Sequence, residues 1–295
     1  MLSYRLNIAD YIIEFGADAG GPGLVPSSRF LKYITEEKSR NILINVHSGR
    51  YELPGRAERV FNAPYVEEIN GVRIKNKDEF WDVYKDNDDL FISTIFPLSS
   101  EKKKAVLKFS LNTNVWDLWF EGNDNTVDPM EYPLDGLILY YLTVIHGDIM
   151  IHASGVNMAG RGYIFSGVSG KGKTTMAHLW ESCGADVIHD DRLIVRKFDN
   201  TYKMFNTPVY NDDVPAYSKV NSIYIIAHGS SNKISHVNGA GAVSLVMANC
   251  IQQNWGNEII SRLLNSVSSL CDSIPVTRLS FTPDKSVVTH ILENE

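Results

Sequence analysis

The chain has 295 residues, 44% of them apolar and 21% charged, an ordinary globular composition with enough length for one large or two ordinary domains and a real core. A formal net charge of −7 argues against a nucleic-acid partner, which calls for a basic face, and the one basic run, Lys102-Lys103-Lys104, is expected to be a solvated loop. Three scattered cysteines, Cys183, Cys250 and Cys271, are too few for a disulfide framework or a zinc site and are expected to be core thiols of a reducing compartment.

The opening "MLSYRLNIADYIIEFGADAGG" has no basic leader followed by an unbroken apolar run, so no signal peptide is expected. The longest apolar stretch, residues 137–145, is less than half of the roughly twenty residues a membrane span needs. A cytoplasmic protein with no membrane partner is expected. The first half carries "RNILINVHSGRYEL", "VEEINGVRIKN", "DDLFISTIF", "KAVLKFSLN" and "NTNVWDLWFEGNDN". These short runs rich in Ile, Val, Leu, Phe and Trp are punctuated by turn residues and predict a mostly-β region over residues 1–125. In the last run Trp116, Leu118 and Phe120 share one face. The polar stretch 121–133, with two prolines, reads as a linker into a second domain over 126–295.

That second part mixes strands and helices. "PLDGLILYYLTVIHGD" predicts a buried helix with Asp135 as N-cap and Gly147 as its stop. "IMIHASGVNMAGRGYIFSG" predicts two strands joined by a Gly-rich turn. A helix follows with Met176, Leu179, Trp180 and Cys183 on one stripe, closed by Gly184. "ADVIHDDRLIVRKF" reads as a strand interrupted by an acidic pair, and "SIYIIAHG" as a buried strand. Helical spacing follows in "AGAVSLVMANCIQQNW" and "NEIISRLLNSVSSLCDSIP", with "VTRLSF" as a closing strand. The alternation argues an α/β or α+β core.

Between the second strand and the helix, residues 167–174 read G-V-S-G-K-G-K-T, which matches G-x-x-x-x-G-K-[ST] at every fixed position. Gly167, Gly170 and Gly172 let the backbone curl so that several N–H groups, with those of Ser169, Lys171 and Thr175, face one anion. The helix N-terminus adds its partial positive charge. Lys173 is expected to reach the β- and γ-phosphates, and the Thr174 hydroxyl to ligate Mg²⁺. The competing reading is a glycine-lysine turn that binds nothing; the flanking apolar strand and amphipathic helix favour the phosphate site.

Asp190 and Asp191 follow after one short helix and one strand, so the pair can return beside the loop. One carboxylate can hold Mg²⁺, and the other can accept the proton of an attacking hydroxyl. Two aspartates in a surface turn are the alternative, disfavoured by the apolar flanks "VIH" and "LIV". His152 lies on the strand preceding the loop strand, within one strand spacing of it, and is equally compatible with a ligand-facing and a core histidine. His189 is expected to be structural, pointing to the face opposite Asp190. Arg192 and Arg196 are left open as charge partners.

These segments, "IHASGV … GYIFSGVSGKGKTTMAHLWESCGADVIHDDRLIV", resemble the HPr kinase/phosphorylase and phosphoenolpyruvate carboxykinase superfamily of P-loop proteins. Within it they look most like the divergent HPr-kinase-like group that includes lasso peptide kinases. "YPLDGLILYYL" and "NTPVYNDD … SIYIIAHGSSNKISHV" extend the resemblance from Tyr132 to the C-terminus. It implies an α/β fold, a mixed sheet with helices preceded by the mostly-β region, and use of ATP or another nucleoside triphosphate with Mg²⁺. By the same resemblance Asp190 is the catalytic acid/base, Asp191 and Thr174 are metal ligands, Lys173 is the phosphate clamp and His152 is an active-site histidine. The implied partner is a peptide, protein or small-molecule hydroxyl acceptor, and homo-oligomerisation stays open. The Thr174-Thr175 pair departs from the Ser-Glu of HPr kinases, and their C-terminal Arg- and Asn-containing signature is not found, so HPr itself is not implied as acceptor. A nucleotide-binding regulatory module without transfer and a carboxykinase-like enzyme are the alternatives.

Overall fold

Alternation builds the strands of the first half. In "VWDLWFE", Trp116, Leu118 and Phe120 are buried while Asp117 and Trp119 are half-buried. The computed structural model describes residues 2–63, 68–69, 72–73, 80–96, 103–122 and 124–294. It divides into two units, the first comprising Met1–Ile145, Tyr210–Asp212 and Gln253–Gly256, the second His146–Val209, Asp213–Gln252 and Asn257–Glu295. The chain first passes between them at Ile145 and His146, where 125/126 was expected, and the short segments Tyr210–Asp212 and Gln253–Gly256 return to the first unit.

The first unit holds β1 (Ser3–Ile8), β2 (Tyr11–Ala17), β3 (Gly23–Leu24), β4 (Ile42–Ser48), β5 (Glu58–Asn62), β6 (Glu68–Ile69), β7 (Val72–Arg73), β8 (Trp81–Asp86), β9 (Asp89–Ile95), β10 (Lys104–Phe109), β11 (Val115–Glu121) and β12 (Thr126–Val127). Eight of these form one sheet in the order β1-β2-β4-β11-β10-β9-β8-β5. Most of the strand expected over 66–76 lies outside the described residues. The described residues of the stretch 121–133 are held within this unit: β12 pairs with β3, and the Asp128 carboxylate accepts the N–H groups of Met130 (2.9 Å) and Ser27 (3.2 Å).

Helix α1 (Leu134–His146) follows, and Gly147 beyond it has φ +69°, as a helix stop requires. Asp135 is not its N-cap. It lies inside the first turn, 2% exposed, with its carboxylate 2.8 Å from Arg29 Nη1, because a buried carboxylate is cheaper beside a guanidinium than beside backbone amides alone. Two further expectations are corrected. Lys103 pairs with Asp124 at 2.8 Å and Lys104 opens β10, so this part of the basic run is not a free loop; Lys102 lies outside the described residues. Of the three thiols, Cys250 is buried, Cys271 is intermediate and Cys183 is exposed.

The second unit begins with the hairpin β13 (Ile149–Met158) and β14 (Arg161–Ser166), followed by α2 (Lys173–Glu181), β15 (Asp186–His189), β16 (Arg192–Phe198), β17 (Thr201–Asn206), β18 (Tyr217–His228), β19 (Lys233–Val237), α3 (Gly239–Met247), α4 (Asn257–Ser273), β20 (Val276–Phe281) and α5 (Ser286–Glu293). Met176 and Trp180 of α2 are buried as expected, but the helix ends before Cys183. The chain also does not close on "VTRLSF", since α5 follows and buries Val287, Val288 and Ile291. Strand order is β14-β13-β16-β17-β18-β20-β19, with β15 also on β13 and a parallel β14–β18 pairing that turns the first five into a closed ring. The fold is therefore mixed α/β, with parallel and antiparallel pairs in one sheet. Among the described residues no helix is long and apolar enough to cross a membrane.

Ring closure depends on a missing side chain. A Cβ on Gly162 would lie 1.9 Å from the Lys219 carbonyl oxygen of β18. Gly162→Ala is expected to destabilise the chain by about 3 kcal/mol, because backbone rather than a flexible side chain would have to move. Gly256→Ala, in open space, should stay within about 0.5 kcal/mol of wild type. Urea melts of the two variants check this, and a Gly162→Ala midpoint equal to wild type would contradict it.

Candidate phosphate loop and acidic turn

Strand β14 delivers Ser166 into the loop, and α2 leaves it at Lys173. Gly170 and Gly172 have φ +77° and +91°, the left-handed region that a curled anion loop needs. Gly172 is also spatially restricted: a Cβ there would meet Phe281 Cζ at 2.9 Å and His228 Cε1 at 3.0 Å. The turn is closed by Lys171 N–H donating to the Val168 carbonyl (3.2 Å), and the helix starts with Met176 N–H on the Gly172 carbonyl (2.9 Å). Ser169, Gly170, Lys171, Thr174 and Thr175 are exposed, so the polar rim of the loop is open to solvent.

Lys173 differs from its neighbours. It is 7% exposed, and its Nζ donates to the Gly167 carbonyl at 2.8 Å. Burial pushes its ammonium below the ordinary lysine value, while the negative charge of Asp191 opposes that shift. A desolvated cation beside a glycine-walled concavity fits an anionic ligand, since an added anion would supply the partner that lost water no longer provides.

The acidic turn reaches this place through β13. Ala153 pairs with Ser166 of β14 on one side, and its N–H donates to the Asp191 carbonyl on the other (3.0 Å). Ser166 Oγ also donates to the His152 carbonyl at 2.8 Å. The loop entrance and His152 thus lie at one level of two neighbouring strands, about 4.8 Å apart, and the turn carrying Asp191 is hydrogen-bonded to β13 at the same level. Ile151 and Ala153 face one apolar cluster, so His152 projects from the other face of β13, the face whose cluster includes Met176 and Trp180 of α2.

His152 Nδ1 lies 3.1 Å from Asp191 Oδ1. The hydrogen bond from His152 is the largest cause holding the Asp191 carboxyl below the ordinary carboxylate value; burial opposes it, and the neighbouring His152, Arg192 and His189 assist. Asp190 is half-buried, and among the described residues no side chain or backbone group bonds its carboxylate. Arg196 is committed elsewhere, to Asp148 at 2.9 Å, and Arg192 Nε donates to Thr207 Oγ1 at 3.2 Å. His189 is buried. Among the described residues no group of three or more His, Cys, Asp and Glu side chains converges as a ready-made metal cage.

Sequence reasoning missed His228. Its ring packs on Phe281 (centroids 5.3 Å apart) and brings Nε2 to 3.3 Å from the Gly170 carbonyl. The available signal was its place at the end of a strand running parallel to β14, since the carboxyl ends of parallel strands are where open α/β sheets bind ligands.

No protein-family model matches the chain. No curated protein matches it either. Among solved structures it is similar to the HPr(Ser) kinase/phosphatase from Coxiella burnetii over 49% of this chain and 97% of that one, with 12% sequence identity and a TM-score of 0.29. A likeness of that degree says nothing about chemistry, which rests on the side chains described above.

The His152–Asp191 pair has a definite pH signature. A depressed carboxyl contributes stability that is complete above the ordinary value of about 3.9 and is lost as the pH falls through the lower folded value. In His152→Ala the donor and its charge are gone while burial remains, so the Asp191 carboxyl should titrate at a higher pH than in wild type. Carbon-detected NMR of the Asp191 carboxyl measures this; an unmoved midpoint would show that His152 does not set it.

Proposed function

We propose that the chain is an ATP- and Mg²⁺-dependent phosphotransferase that moves the terminal phosphoryl to a hydroxyl, a serine or threonine of a peptide or protein or an equivalent small-molecule hydroxyl. The observation that carries this reading is the convergence, on one sheet level, of a buried lysine in a glycine loop with the His152–Asp191 pair. In this reading the backbone N–H groups of residues 167–175 and the N-terminus of α2 bind the phosphates. Lys173 turns from the Gly167 carbonyl to a phosphate oxygen and stabilises the charge of the transferred group. Thr174 and Asp191 hold Mg²⁺, which supplies charge neutralisation at the phosphates when bound. His152 occupies one oxygen of Asp191 and fixes that carboxylate's orientation. Asp190, with its carboxylate unengaged, accepts the proton of the acceptor hydroxyl.

A charge-assisted hydrogen bond contributes roughly 1.5–3 kcal/mol, so Lys173→Ala should weaken ATP binding by about ten- to a hundredfold. The transfer rate should drop further, because charge on the phosphoryl group peaks in the transition state. Asp191→Ala should remove the extra thermal stabilisation that Mg²⁺ adds to ATP while leaving most of the metal-free shift. Calorimetry and melting curves on these variants, with transfer assayed on a panel of seryl acceptors, test the reading. Tight binding of Mg-ATP by Lys173→Ala would defeat it, and full activity in Asp190→Asn would remove the base assignment.

A further inference from the structure

His189 is a buried titratable side chain to which the reading above gives no duty. Its environment is specific. The strands β15 and β16 both pair with β13, and between them Asp190 and Asp191 step out of the ladder. That step deprives backbone amides at the turn of strand partners, and a buried amide needs one. His189 Nδ1 takes two of them: the N–H of Asp191 donates to it at 3.1 Å and the N–H of Arg192 at 3.2 Å. A ring nitrogen that accepts must carry a lone pair, which puts the ring proton on Nε2. That nitrogen lies 3.5 Å from Asp213 Oδ2, a charge contact without hydrogen-bond geometry, while the same oxygen accepts the Val209 N–H at 2.8 Å. The two side chains are 3% and 13% exposed, so water competes little for these contacts. A second tether runs in parallel, with Arg192 Nε on Thr207 Oγ1 and that hydroxyl donating to the Arg192 carbonyl at 3.1 Å.

We propose that His189 and Asp213 are positioning residues of the acidic turn: the ring's Nδ1 fixes the backbone that aims Asp190 and Asp191, and the Asp213 carboxylate, 3.5 Å from Nε2, favours the ring form whose Nδ1 is left to accept. The role rests on the phosphotransferase reading, because what the turn aims at is the metal and the acceptor hydroxyl. Neither residue touches the reacting atoms. Removing the clamp should leave the phosphate loop intact, since Lys173 and the glycines belong to a different segment, and should uncouple only the acidic turn.

Two substitutions separate the clamp from general packing. In His189→Asn the amide oxygen falls near the position of Nδ1 and keeps an acceptor there; in His189→Gln the polar end falls near Nε2 and the turn amides lose theirs. Hydrogen exchange at the amides of Asp191 and Arg192 is measured in both and in wild type, together with ATP affinity with and without Mg²⁺. Circular dichroism verifies that each variant is folded, and Asp213→Asn, which keeps an oxygen for Val209 N–H but loses the charge, serves as a milder third variant. The expected result is exchange at both amides at least about fivefold faster in His189→Gln, near wild type in His189→Asn. His189→Gln should also lose the Mg²⁺-dependent gain in ATP affinity while keeping the metal-free affinity. Equal exchange and an equal Mg²⁺ gain in all folded variants would overturn the clamp. A wild type that binds no ATP in the same titrations would instead overturn the phosphotransferase reading and the positioning role with it, even if the exchange pattern held.

Discussion

The second unit is organised around a cation taken out of water. Lys173 follows the last glycine of a tight loop, and its buried ammonium donates to the Gly167 carbonyl. Burying a charge with so little compensation is costly, and it lowers the ammonium's proton affinity. Such an arrangement is sensible where an anion completes the coordination. Gly172 lets the loop pass against Phe281 and His228, so its curl is fixed by packing and by backbone conformation together. A loop whose curl is fixed in this way would lose little ordering entropy on binding the proposed phosphate ligand.

Strand β13 acts as the ruler for everything else. It lies between the loop strand and the strands that carry the acidic turn, so hydrogen-bond register sets the spacing of the site. A one-residue slip would exchange the faces to which His152 and Ile151 point. The ring of strands closed at Gly162 guards against such a slip, since β14 is pinned on one side by β13 and on the other by β18. The geometry of the candidate site is thus a property of the sheet, with the two histidines as local adjusters. His152 orients a carboxylate and His189 orients the backbone beneath it.

Much of this was legible in the sequence, for identifiable reasons. The loop, the helix behind it and the acidic pair were readable because glycines, a lysine and apolar flanks occur at fixed spacing. What escaped was set by contacts distant in sequence or by turns with weak signals. The β1–β2 hairpin turns on Ala9 and Asp10, both at positive φ (54° and 60°), where Asn-Gly is the usual signal. Asp135 looked like a cap because its partner, Arg29, lies far away in the chain. Cys183 continued a helical stripe on paper, but Gly184 at φ +93° and the turn before it had already ended the helix. Asp213 was invisible for the same reason as Arg29: only the fold brings it to the turn.

In the proposed phosphotransferase the loop binds a polyphosphate rather than the rest of a nucleotide. Isothermal titration of the wild-type chain with Mg-ATP and, separately, with adenosine tests that claim most directly. The account predicts one Mg-ATP bound per chain and no comparable heat from adenosine, because a buried ammonium, loop amides and a helix N-terminus all recognise negative charge. Adenosine binding as tightly as Mg-ATP, or no binding of Mg-ATP at all, would contradict it.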